Sequence, residues 1–483
     1  MPTLAHRLVR FFRHAPHTYV VGGAVRDRLL GREVHDFDLL VQTDGLAVAR
    51  HLADALEGAY VPLDADMATA RIVLGREQVD IAQQRGARLE DDLWLRDFSV
   101  NAMAIPLSEW LDETPSVVDP TGGRADLATR LVRAVSEDAF RYDPGRLLRA
   151  PRLAAQLGGT IDPHTEQWLR RDAYLLPEVS GERQRDEFWR CLLLPGAEAI
   201  LRRLDDLGLM GRLLPEVNAM QGVTQRPPHT LDVYDHTLGV LTALEGLLAA
   251  LGIQPGEANP TDTAALAPYR EVLRAHLLDE PVRGRPRWSL LKFAALLHDM
   301  GKPATRTVKR GIAHFYGHEG VGADMVPAIG ERLKLSTRES AWLKLVIRHH
   351  LRPLQLSQLD APSARTQYRF FRDLGDATTD VLLLSIADNR AKGDPDDEAA
   401  APDTILRLAV EMLELYYQPQ APTVVAPPSL VNGNDLMREL DLAPGPHVGE
   451  LLESIREAAA AGEVTTREEA VALARRTLAQ SRG

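Results

Sequence analysis

Two aspartates separated by a single residue, in His35-Asp36-Phe37-Asp38-Leu39-Leu40, constrain this chain more than any other feature. On a β-strand, residues i and i+2 face the same side, so Asp36 and Asp38 present two carboxylates side by side. Such a pair suits hard divalent cations. Upstream, Val20-Val-Gly-Gly-Ala-Val-Arg-Asp27 places an apolar strand before two glycines and a helix start. Glycines there let backbone N–H groups approach a triphosphate, and the helix N-terminus favours its negative charge. A Gly-Gly pair alone is usually a turn, and an Asp-x-Asp alone is usually a solvated strand end. In this order and spacing, with Arg26-Asp27 between them, the two point to metal-assisted phosphoryl transfer.

At 483 residues the chain is too long for one core, and three or four domains are expected. One cysteine, Cys191, rules out a disulfide framework and points to a reducing, cytoplasmic setting. The N-terminus lacks a signal-peptide pattern, and Glu245 interrupts the apolar run Leu238–Leu251, which reads as a buried helix and not a membrane span. The net charge of −12 argues against a general polyanion binder. Its distribution matters more. Arg7, Arg10 and Arg13 open the chain without an acid, and Arg141, Arg146, Arg149 and Arg152 face only Asp143, while acids gather in Asp394–Glu398 and after Glu439. A locally basic groove on an acidic protein still suits RNA.

Short β-like runs (Tyr19–Val21, Asp38–Val41, Ala70–Leu74, Val79–Ile81) predict a small α/β head over residues 1–135. Residues 136–220 read as a helical body, and 221–400 as a second helical block with a Pro-rich polar insert near Gln254–Arg287. Residues 401–483 read as a Pro-rich bridge, Gln418–Pro428, and a helical tail. The whole is an α+β chain with an all-α body.

Gly22-Gly23-Ala24-Val25-Arg26-Asp27 followed by Asp36-x-Asp38 resembles the signature of class II tRNA nucleotidyltransferases and bacterial poly(A) polymerases, within the polymerase-β-like superfamily. Further segments resemble family motifs in order: Arg96-Asp97-Phe98-Ser99-Val100-Asn101 the ribose-reading motif, Asp119–Leu127 the next segment, Asp143-Pro-Gly-Arg146-Leu-Leu-Arg149 the base-reading helix, Ser180-Gly-Glu182-Arg183 with Glu187 the neck, and Gly433–Glu469 the tail. The resemblance implies Mg²⁺ on Asp36 and Asp38, and nucleotide contacts from Gly22, Gly23, Arg26, Asp27, Arg96, Asp97, Asn101, Asp143, Arg146 and Arg149. Asp143 and Arg146 would read the incoming base, the carboxylate accepting from an amino group and the guanidinium donating to a ring acceptor. Leu95 stands where the family usually has a further arginine, and Tyr142 where it has glutamate. The interval Asp80–Arg96 is shorter than in relatives that build a complete CCA end. That favours an enzyme adding the two cytidines from CTP to the tRNA acceptor end; CCA addition, A addition from ATP and poly(A) synthesis remain the alternatives.

A second constellation lies in the helical block: His236, His298-Asp299-Met-Gly-Lys302, His349-His350 and Asp388. The order His…His-Asp…Asp resembles HD-domain phosphohydrolases. It implies a transition-metal site, such as Mn²⁺ or Ni²⁺, on His236, His298, Asp299 and Asp388, with His318 and His349 as a second position. Arg149, Arg152, Arg170, Arg171, Arg183 and Arg185 are candidate phosphate contacts for the RNA. A pure metal-dependent phosphohydrolase predicts loss of Asp36 or Asp38, and a non-catalytic RNA-binding protein predicts decay of both metal sites. Neither loss is present in the sequence.

Overall fold

The computed structural model describes residues 3–15, 17–65, 68–75, 77–226, 230–359, 361–392, 403–417, 425, 427 and 429–481. The acidic run Asp394–Glu398 and nearly all of the Gln418–Pro428 bridge lie outside them. The chain divides into two compact units, Met1–Glu187 with Arg202–Leu213, and Phe188–Leu201 with Leu214–Gly483.

The first unit is built on a six-stranded sheet. Its strands are β1 (Tyr19–Val21), β2 (Asp36–Val41), β3 (Ala59–Asp64), β4 (Thr69–Leu74), β5 (Glu77–Gln83) and β6 (Ala104–Pro106), in the order β3-β4-β5-β2-β1-β6. Only β2 and β5 pair in parallel; every other neighbour is antiparallel. The sequence pattern anticipates β1, β2, β4 and β5. It gives no sign of β3, an edge strand whose side chains are nearly all exposed and so lack alternation, or of β6, three residues ending in proline. Alternation in β2 sends Phe37 and Leu39 into the core and Asp36 and Asp38 to the opposite face. The helix Gly45–Leu56, capped by the Asp44 carboxylate, lays Ala49, Leu52, Ala53 and Leu56 against the sheet. Beyond β6 the unit is mostly helical, with Arg146–Leu157 and the Asp162-capped Pro163–Asp172 as its main later helices and a short parallel pair, Leu131–Val132 with Thr160–Ile161.

The second unit is helical apart from the short hairpin Thr307–Lys309/Ile312–His314. The helix Arg287–Leu297 is buried at every position. Within it Lys292 Nζ donates to the carbonyls of Leu192 and Leu194 and pairs with Glu245 at 2.6 Å, and burial lowers its pKa. The apolar run starting at Leu238 belongs to the helix Val233–Ala250, and no helix among the described residues is long and apolar enough to cross a membrane. The insert near Gln254–Arg287 is itself partly helical, as Pro260–Leu266 and Arg270–Leu278. At the C-terminal end, helices Gly433–Leu440, Pro446–Ala460 and Arg467–Ser481 close around Leu436, Leu451, Ile455 and Ala470.

Phe37 sits between the two strand aspartates and meets Trp110 edge-on at 5.4 Å between ring centroids. Phe37→Ala leaves a cavity beneath the acidic face and is expected to cost about 3–5 kcal/mol. Chemical unfolding followed by the Trp signal measures it.

Candidate active sites

The face of the sheet that carries Asp38 opens into a hollow lined by Gly22, Gly23, Asp38, Arg85, Arg96, Asp97, Asn101, Asp143, Arg146 and Arg149. Nine of these ten, all but Arg85, are candidate nucleotide or metal contacts in the sequence, and eight bear a charged or polar side chain suited to phosphate, sugar or base. Gly22 adopts φ +73°, a left-handed conformation, and a Cβ there would stand 2.8 Å from Asp38 Oδ2. The space beside the carboxylate exists because this residue has no side chain. Asp38 lines the hollow with its side chain open to solvent, although protein packs densely around the carboxylate. Desolvation, then the charge of Asp80, raises its pKa to about 6. A carboxylate that resists ionisation amid other carboxylates is chemically suited to a cation, so the residues present fit a divalent metal.

Asp80 enters the sequence reading only as the boundary of the Asp80–Arg96 interval and not as a site residue. It stands opposite Asp38 in the parallel β2–β5 register and is gripped by Arg71 through two contacts of 2.7 Å. Arg85 was also missed. The buried carboxylate of Asp92 accepts from the Arg85 backbone N–H at 3.0 Å and from its Nε at 3.1 Å, and from Arg96 Nε and Nη2 at 3.2 and 3.1 Å. Burial would raise the Asp92 pKa, but Arg96 and Arg85 bring it below the usual value. One carboxylate thus fixes two arginines of the hollow.

Arg26 and Asp27 do not line the hollow. Buried Arg26 pairs with Asp27 and donates from Nη1 to Asn101 Oδ1 at 2.8 Å, so it orients a residue that does. Asn101 Nδ2 donates to Asp97 Oδ1 at 3.2 Å, and Arg149 Nη1 reaches Asp97 Oδ2 at 2.8 Å. Burial pushes the Asp97 pKa up, but Arg149 outweighs it and holds the carboxyl below its ordinary value. Arg149 and Arg152 share Glu187, at 3.0 Å each. Asp143 is bound by Arg183 Nη2 at 2.8 Å to both oxygens, and Arg146 donates to the carbonyls of Leu95, Arg96 and Ala139. Arg185 pairs with Asp186, Arg170 with Glu166 and Arg171 with Asp172.

In the second unit, His236, His298, Asp299, His318, His350 and Asp388 come together, all buried. His236, His298 and Asp299 form one set with ligand atoms within 4.8 Å of one another; Asp299, His318 and His350 form another. Nδ1 of His298, His318 and His350 faces the carbonyls of Ala295, Phe315 and Ile347 at 2.7–2.8 Å, which leaves each Nε2 for the centre. Two of those Nε2 atoms, of His318 and His350, lie 3.4 Å apart. His298 Nε2 and Asp299 Oδ2 are buried without a hydrogen-bond partner among the described residues, although Lys302 Nζ ion-pairs with that oxygen at 2.6 Å. Burial, then His298 and His318, pushes the His350 pKa down to about 3, so it stays a neutral ligand. These residues too fit metal.

The expected second-position histidine was His349, yet the structure brings in His350. Successive helix residues differ by about 100°, so only one of the doublet faces the centre. The buried phase Leu343, Val346, Ile347, His350 selects it, a signal readable in the sequence. Lys392, which pairs with Asp388 at 2.6 Å, gave no such signal.

With this geometry in hand, similarity to known proteins is decisive. An A-adding tRNA nucleotidyltransferase of Deinococcus radiodurans is 36% identical over 476 residues, covering 97% of each chain. The chain belongs to the tRNA nucleotidyltransferase family. A CC-adding member from Geobacter sulfurreducens is 32% identical over 454 residues, covering 94% of this chain and 90% of the relative. Residues 18–133 match the poly(A) polymerase head domain, 159–221 the "probable RNA and SrmB-binding site of polymerase A", 233–392 the HD domain, and 401–474 tRNA nucleotidyltransferase domain 2. A solved CCA-adding enzyme in complex with ATP shares the fold at 21% identity, with a TM-score of 0.61 over 99% of this chain and 94% of the other. The tRNA nucleotidyltransferase fold is thus an α+β head followed by helices and an HD domain.

His350→Ala is expected to lower the metal content of the second unit, and His349→Ala to leave it unchanged. Elemental analysis of both purified variants checks this; equal content in the two would remove His350 from the site.

Proposed function

We propose that this tRNA nucleotidyltransferase adds CMP residues from CTP to the tRNA 3′ end, the 3′-hydroxyl attacking the α-phosphate and pyrophosphate leaving. The observation that carries the reading is Asp38 lining a hollow whose other walls are arginines and hydrogen-bonding side chains. Asp36 and Asp38 would hold Mg²⁺, which when bound would supply Lewis-acid neutralisation of the reacting phosphate and the departing pyrophosphate. The backbone at Gly22 and Gly23 leaves room for the phosphates. Asn101 and Asp97 address the ribose, and Asp143 and Arg146 the base. Arg152, Arg183 and Arg185 stand among the candidate tRNA phosphate contacts, with Arg183 also holding Asp143 in place.

The preference for cytidine rests on the segment between Asp80 and Arg96. Strand β5 runs to Gln83 and a helix begins at Leu89, so five residues join them, and Asp92 anchors Arg85 among them. A lever that re-aims the base-reading groups needs length and mobility, and this connection offers neither. A second reading, A addition from ATP, is favoured by the 36% identity to the A-adding D. radiodurans relative. For the HD domain we propose phosphohydrolase activity with a transition metal such as Mn²⁺ or Ni²⁺ on His236, His298, Asp299 and Asp388, and a second ion position at Asp299, His318 and His350.

The test offers tRNA ending at the discriminator base, or at its first or second cytidine, with labelled CTP or ATP. Incorporation of two cytidines and no adenosine is expected; adenosine on the cytidine-ended tRNA alone would establish the second reading instead. Asp38→Ala is expected to cut incorporation by at least about 10³-fold, above the loss of a single oxyanion donor.

A further inference from the structure

The first unit carries another hollow that shares no lining residue with the nucleotide hollow. Trp94, Ser99, Thr121, Arg133, Ala134, Val135, Asp162, His164 and Trp168 enclose about 250 Å³. Its chemistry differs from that of its neighbour. Where the nucleotide hollow is almost wholly charged or polar, this one has three aromatic side chains. Trp94 is 49% exposed, an uncommon state for the largest apolar side chain. Trp168 and His164 lie one turn apart on the helix Pro163–Asp172, their rings 6.4 Å apart and tilted by 30°.

Arg133 lines the same hollow. Its Nε and Nη2 each donate to Asp126 at 3.0 Å and its Nη1 to Asp162 at 3.4 Å, yet its side chain remains 45% exposed. Both acids are thereby neutralised, and a guanidinium held in this way keeps a planar face for stacking. Thr121 Oγ1 is buried without a hydrogen-bond partner among the described residues. A buried hydroxyl of that kind needs a partner. Aromatic rings, an arginine plane and one free polar atom make up the equipment with which proteins hold an unstacked nucleobase.

We propose that this hollow holds an unpaired base of the RNA substrate, stacked on Trp94 or on Trp168 and hydrogen-bonded to Thr121. The inference rests on the tRNA reading above. A second observation favours RNA over a protein side chain: Asp162, His164 and Trp168 fall in the segment 159–221, which matches a domain described as a probable RNA-binding site. The hollow is also tied to the catalytic one through the backbone. Ser99 N–H donates to the Arg133 carbonyl and Val135 N–H to the Asp97 carbonyl, so the strip that supplies Asp97 to one hollow supplies Ser99 to the other. A base seated here anchors the RNA against the element that positions the nucleotide.

The experiment uses the full-length protein and a tRNA transcript ending at the discriminator base. Its Kd is measured by filter binding over a salt series, and the KM for CTP at saturating tRNA. Trp94→Ala and Trp168→Ala are expected to weaken tRNA binding roughly tenfold or more, the usual loss for one stacked base. Trp94→Phe should restore most of it. The slope of log K against log salt should stay constant, because no phosphate contact is removed, and so should the KM for CTP. Thermal melting identifies any variant that fails to fold, and exposed Trp94 is the position least subject to that. Undiminished binding by both Trp94→Ala and Trp168→Ala overturns the inference, as does a CTP KM that rises in step with the tRNA Kd. Failure of the unaltered protein to bind tRNA overturns the tRNA reading itself, a result distinct from both.

Discussion

The nucleotide hollow depends on one buried carboxylate, Asp97. Its two oxygens accept from the Phe98 backbone, from Asn101 and from Arg149. Through Asn101 it reaches Arg26, on the helix that follows the glycine pair, and through Arg149 it reaches Glu187 and then Arg152. Segments far apart in sequence are thereby fixed to one another by charge-assisted hydrogen bonds. Desolvation makes such a network expensive to leave incomplete, because removal of one partner strands a buried charge. Its geometry is therefore more strongly determined than that of a surface ion pair, and the lining of the hollow inherits that rigidity.

The same physics separates two classes of carboxylate in the first unit. Asp97 and Asp92 are surrounded by arginines that hold their pKa values down, and both serve to position neighbours. At Asp38, desolvation and then the charge of Asp80 drive the pKa up to about 6. Arg96 and Arg71 oppose the rise without cancelling it, and directly beside the carboxylate the fold supplies a glycine and open space. In the second unit the corresponding sign is the histidine anchoring. Three imidazoles spend Nδ1 on backbone carbonyls and turn Nε2 toward a shared aspartate, an arrangement with little purpose in a core packed only for stability.

Residues whose spacing follows from local geometry were legible in the sequence. Asp36 and Asp38 follow from strand alternation, and His298-Asp299 from the end of an apolar helix. Asp80 was not, because its meaning comes from lying opposite Asp38 on a strand paired across about 40 residues. Arg85 and Asp92 were hidden for a related reason: an Arg and an Asp seven residues apart look like solvated loop charges until the helix Leu89–Leu93 turns the acid inward. Strand β3 escaped because an exposed edge carries no alternating pattern, and His350 because its doublet was read without the helical phase.

The two departures from the family motif also acquire a physical meaning. Leu95 replaces an arginine, but what this position gives the hollow is its carbonyl, which accepts from Arg146 Nη2 at 2.9 Å, while its side chain is 40% exposed. Tyr142 replaces a glutamate, and its side chain is 74% exposed. The carbonyls of Leu95, Arg96 and Ala139 fix Arg146 whatever side chain position 95 bears. A guanidinium anchored at three carbonyls, beside an Asp143 clamped by Arg183, presents one donor–acceptor pattern to an incoming base. To read a second base, it would have to break several of these contacts together. On the base-reading roles proposed for Asp143 and Arg146, pinned readers on a short connection would favour repeated addition of one nucleotide over a switch between two.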